Sequence, residues 1–63
     1  MVLTFRFFTK SEALDFALTV KGIAGNSHAM GYVVLACVST ENSVEELRII
    51  AKEFNGTLES ITD

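Results

Sequence analysis

The stretch Gly22-Ile23-Ala24-Gly25-Asn26-Ser27-His28-Ala29-Met30-Gly31 decides how this chain is wired. Its glycines and its Asn-Ser pair are turn formers, yet residues 24–29 are long enough to hold a short edge strand. If they hold one, the elements run β-α-β-β-α-β. That is the split antiparallel arrangement called ferredoxin-like, with two helices on one face of a four-stranded sheet and the other face open. If they are a plain loop, the chain is β-α-β-α-β with three parallel strands and right-handed crossovers. A parallel sheet is normally covered on both faces, and two helices over three strands barely provide that. A ferredoxin-like α+β sandwich, as a single domain over residues 1–63, is therefore expected, with three-stranded βαβαβ as the alternative.

On the N-terminal side, residues 2–8 alternate, with Leu3, Phe5 and Phe7 on one face and Val2, Thr4, Arg6 and Phe8 on the other. This is a period-2 strand. Thr9 with Glu12 three residues later forms a capping box, opening a helix over 10–22. Its apolar residues span an arc about twice what packing on one sheet requires. Part of this helix is therefore expected to touch something beyond its own sheet, unless residues 23–31 fold over it.

On the C-terminal side, residues 32–39 are continuously apolar, a pattern of strands buried on both faces. Ser43 and Glu46 form a second capping box, opening a helix over 44–55. Asn55-Gly56 closes it, with glycine suited to the left-handed position. Val44, Leu47, Ile50, Ala51 and Phe54 make its inner stripe, Glu45 and Arg48 can pair one turn apart, and Ile49 stands alone on the charged face. Residues 57–63 read as a weak last strand, because Leu58 and Ile61 have opposite parity.

A 63-residue chain buries only about 60% of its unfolded surface and is expected to be marginally stable. Small domains compensate with disulfides, metals or oligomerisation. Cys37, the only cysteine, cannot form an internal bridge. Within its apolar strand it is expected to be buried and inert. The acids Glu12, Asp15, Glu41, Glu45, Glu46, Glu53, Glu59 and Asp63 show no ligand-like spacing, so neither a metal nor another cofactor is expected. Oligomerisation remains, and an apolar content of 49% with a mean hydropathy of +0.37 agrees with it.

The net charge of −3 and the scattered Arg6, Lys10, Lys21, Arg48 and Lys52 argue against nucleic acid as a partner. Tyr32 and Phe8 flank the open face as base-stacking aromatics do in RNA-recognition domains, but the basic Arg/Lys-Gly-Phe motif is missing. No apolar run approaches the ~18 residues of a membrane span. The N-terminus does not read as a secretory signal, and a cytoplasmic location is expected for a chain with one thiol.

An enzyme is not expected either. His28, the only histidine, has no recognisable nucleophile spaced to it. Gly25, Asn26, Ser27 and His28 could instead form a ligand loop, although the stretch matches no phosphate or dinucleotide fingerprint. The open face would carry Tyr32, Val34, Ala36 and Val38, or else Val33, Leu35 and Cys37. The first set, with Phe8 and Ile49, is the expected interface. The expected function is thus that of a small non-enzymatic interaction or structural module. It would be homodimeric through an apolar sheet face, with an unidentified protein as the other possible partner. The alternative is a small-ligand-binding regulatory domain using the 22–31 loop.

Overall fold

The alternating N-terminal residues form β1, Val2–Arg6, in the computed structural model, which describes residues 1–63. Helix α1 follows over Lys10–Thr19 and ends in a short 3-10 turn, Val20–Gly22. Then come β2, Asn26–Met30, and β3, Val33–Cys37. Helix α2 spans Glu41–Glu53 and β4 spans Thr57–Thr62. The four strands lie in one sheet in the order β2-β3-β1-β4, every neighbouring pair antiparallel. The fold is therefore α+β, and the three-parallel-strand alternative is excluded.

The deciding stretch does contain a strand, displaced toward the C-terminus from residues 24–29. Ala24 is drawn into the core as the 3-10 turn closes, its N–H donating to the Val20 carbonyl at 2.8 Å. Pairing with β3 begins only at Asn26. At the far end, Gly31 adopts φ 64° in the two-residue turn to β3, a conformation that glycine takes at little cost.

One face of the sheet and both helices enclose a single core. Leu3, Phe5, Val34 and Ala36 from the central strands meet Ala13, Phe16 and Ala17 of α1 and Leu47 and Ala51 of α2. The Phe16 ring is the hub, 4.9 Å from Phe5, 5.0 Å from Phe7 and 6.2 Å from Phe54 between centroids. Residues 32–39 are not buried on both faces as their apolar run suggests, because both helices lie on the same side and nothing in the chain covers the other. Leu14 and Leu18 of α1 are about half exposed, so the 23–31 segment does not fold over them.

Local hydrogen bonds account for the helix boundaries. The Glu12 N–H donates to Thr9 Oγ1 at 3.1 Å, as the first capping box requires. Helix α2 starts earlier than the Ser43 box implies. Its N-cap is Thr40, whose Oγ1 accepts from the Ser43 N–H at 3.2 Å. Capping at Thr40 extends the helix by almost a turn, and Ser43 becomes an interior residue. Thr40→Ala is expected to cost about 1 kcal/mol in urea unfolding, and Ser43→Ala distinctly less. At the other end, Asn55 rather than Gly56 takes the left-handed position, at φ 62°. The Gly56 N–H donates to the Ala51 carbonyl at 2.7 Å and the Asn55 N–H to the Lys52 carbonyl at 3.2 Å, a Schellman closure. The Asn55 amide also donates to Glu12 at 2.7 Å, tying this turn to the start of α1.

The mismatched parity in the last strand is resolved by a bulge. Leu58 pairs with Phe5 and Ile61 with Leu3, while the register shifts between them so that Glu59 is the extra residue. Both aliphatic side chains consequently lie on the helix side.

Candidate functional site

The face of the sheet turned away from the helices is left uncovered by the rest of the chain. Its composition follows from register. Directly opposed residues in antiparallel strands share a face, so alternate positions line up in three rows across the sheet. Read from β2 to β4, they are Asn26-Cys37-Val2-Thr62, His28-Leu35-Thr4-Ser60 and Met30-Val33-Arg6-Thr57. Val2, Val33, Leu35 and Thr4 on the central strands are half-buried by their neighbours, while the outer-strand residues of the three rows are exposed. The result is a middle of Val2, Val33 and Leu35 interrupted by Thr4 and Arg6, with Asn26, His28, Ser60, Thr57 and Thr62 on the border beside the exposed Met30.

One ion pair crosses this face. Arg6 Nε donates to Glu59 Oε2 at 2.9 Å. The hydrogen bond and the charge of Glu59 together hold the Arg6 guanidinium above its ordinary pKa. The bulge places Glu59 there, since it is the residue added between the partners of Thr4 and Phe5. Both side chains are substantially exposed, so the pair orients the corner of the face more than it stabilises the fold.

The residues expected at an interface are distributed differently. Val34, Ala36 and Val38 are buried against the helices. The face that is open carries the other parity, Val33, Leu35 and Cys37, because β1 pairs Leu3 with Ala36 and Phe5 with Val34 and so brings all four to the core side. Tyr32 is half exposed at the β2–β3 turn, with Lys10 Nζ 5.9 Å from its ring centroid. Phe8 stands past the end of β1 and is 81% exposed. Ile49 is 62% exposed on the outer side of α2, across the molecule from the sheet face, and cannot join it. Cys37 is exposed rather than buried, since its parity places the thiol outside.

Of the four expected loop residues, only Gly25 lies outside a strand, and Asn26, Ser27 and His28 belong to β2. Gly25 precedes β2 and its N–H donates to the Cys37 carbonyl at 2.9 Å. Asn26 and His28 turn to the open face, while Ser27 turns to the helices and donates from Oγ to the Ala17 carbonyl at 2.9 Å. Together with Lys21 and Ala24 these residues line a shallow groove of about 360 Å³ at the edge of the sheet. No three His, Cys, Asp or Glu side chains converge to hold a metal ion. No buried side-chain nitrogen or oxygen lacks a hydrogen-bond partner. No helix is long and apolar enough to cross a membrane.

No protein-family model matches the chain, and neither a curated protein nor a solved structure matches it.

Proposed function

We propose that this chain is a ferredoxin-like self-association module whose working surface is the open sheet face, paired with the same face of a second copy. The strand order β2-β3-β1-β4 with a helix after β1 and another after β3 supports the ferredoxin-like assignment. The observation that carries the function is the uncovered aliphatic cluster of the open face, Val2, Val33 and Leu35 on the central strands with Met30 at the β2 edge, among mostly polar neighbours. Two such faces stack at about 10 Å and remove the aliphatic middle from water. A twofold pairing is the commonest way for one surface to satisfy itself. Such a dimer also supplies the burial that a 63-residue core lacks. The role is one of assembly rather than catalysis, and a cytoplasmic setting fits an exposed Cys37 thiol kept reduced.

Sedimentation equilibrium at micromolar concentrations tests this, with Leu35→Glu as the disruptive variant. Leu35 sits at the centre of the middle row, so two buried carboxylates would oppose each other across the pair. The variant is expected to weaken face-to-face association at least a hundredfold while keeping the helical signal of the wild type, equivalent to about 2.7 kcal/mol. Labelling of Cys37 by a thiol reagent should slow as wild-type concentration rises and stay fast in the variant. An unchanged association constant for Leu35→Glu would refute the face-to-face arrangement.

A further inference from the structure

A sheet with four strands has two edges, and in this chain they are built differently. The β4 edge carries a bulge at Glu59, and the charge of that residue faces the ladder beside Arg6. Bulges and charges are the usual devices that keep an edge strand from pairing with another chain. The β2 edge has neither. Asn26–Met30 holds no Asp, Glu, Lys, Arg or proline, and its register with β3 runs unbroken from Asn26↔Cys37 to Met30↔Val33. The strand is also tied to α1 from the helix side, where the Ser27 hydroxyl donates to the Ala17 carbonyl.

The distribution of charge points to the occupant. All eight acidic residues lie at positions 12–15 or 41–63, and residues 16–40 contain none. Two copies with a net charge of −3 repel wherever acidic surfaces meet. The α2 surface and the β4 edge are such surfaces, and the β2 edge is not. We propose that β2 is a second self-association site, at which it pairs antiparallel with β2 of another copy and joins two sheets into one of eight strands. The five strand residues bring no acidic or basic side chain to a twofold pairing, and the one charge beside them, Lys21, lies in the groove before the strand begins. The contact is made by backbone groups with small side chains, Ser27 and Ala29, beside them on the helix side. It does not depend on the open-face pairing, because the edge and the face are perpendicular surfaces.

Amide hydrogen exchange on the intact chain as a function of concentration is the test, with Ala29→Lys as the companion variant. Ala29 lies at the edge and on the helix side, away from the open face. Part of the Asn26–Met30 amides should exchange about tenfold or more slowly once most copies are paired. Ala29→Lys should abolish that dependence and remove one association step in sedimentation, and Leu35→Glu should leave it in place. Concentration-independent exchange over Asn26–Met30 would overturn the proposal, including the case in which this edge accepts only a foreign extended peptide. So would a folded Ala29→Lys protein that assembles like the wild type. If Ala29→Lys fails to fold, the wild-type exchange data decide alone. Loss of protection in Leu35→Glu would show that the edge contact is secondary to face pairing and would likewise overturn it.

Discussion

Replacing Phe16 by alanine is expected to leave little of this domain folded in dilute solution. Phe16 is fully buried and is the one aromatic ring that touches Phe5 and Phe7 from the sheet side and Phe54 from α2. Removing a core phenylalanine costs about 3–5 kcal/mol, the sum of lost transfer free energy and the cavity left behind. A chain of 63 residues has roughly 3–9 kcal/mol of stability in total. A chain this short lies toward the low end of that range, where a loss of this size removes most or all of the stability. The site can collapse only poorly, because Phe5 and Phe7 are fixed by a strand and the turn after it. Phe16→Leu keeps enough volume to be measured by urea unfolding and should lose about half as much. Phe54→Ala removes a ring that is only partly buried and should cost less than Phe16→Ala. These comparisons belong at low protein concentration, since association stabilises the folded state by mass action. A Phe16→Ala protein with a wild-type urea midpoint would show that the aromatic hub does not hold the core.

The second large effect is expected at a glycine. A Cβ added to Gly56 would overlap the Cε2 edge of the Phe7 ring and lie 2.7 Å from both Cδ2 and Cζ. Neither partner has room to yield. The Gly56 N–H is bonded to the Ala51 carbonyl in the helix closure. The Phe7 ring is nearly fully buried and packed on Phe16. Overpacking of this kind costs about 1–3 kcal/mol, and Gly56→Ala is expected at the upper end. Gly22→Ala is the control, because nothing lies within 4 Å of its Cβ position and its φ is not positive. It should be neutral or slightly stabilising, through the unfolded chain. Phe7→Leu should recover part of the Gly56→Ala loss, and a double-mutant cycle would read that coupling directly. If the two substitutions simply add, Gly56 is not conserving space for the ring.

Gly56 also shows why some positions are legible and others are not. Asn55-Gly56 is recognisable as a helix stop, because those residue types tolerate the backbone a helix end needs. That the second of the two must be glycine is decided by Phe7, forty-nine residues away in the chain, whose ring leaves no space for a side chain at 56. The start of α2 behaves in the same way. Thr40 and Ser43 are both competent caps, and the choice depends on where β3 releases the chain.

The candidate site divides along the same line. That one face of the sheet would be open and partly aliphatic follows from the composition of residues 32–39 and from having two helices. The opposite parity of Leu58 and Ile61 is likewise visible in the sequence, although the bulge at Glu59 that reconciles them is not. Local physics determined the elements themselves: period-2 alternation made β1, hydroxyl caps opened both helices, and Gly31 turned the hairpin. Each depends on residues within a few positions of one another. Only the tertiary structure decided that Val34 and Ala36 go inside while Val33, Leu35 and Cys37 remain outside. Both parities of β3 are apolar, so neither is excluded by burial free energy alone. The choice rests on the β1–β3 register, in which a shift of one residue would turn every side chain of β3 to the opposite face. Phe5 against Val34 and Leu3 against Ala36 fill the space beneath Phe16, and that packing is a property of three segments meeting, not of any one of them.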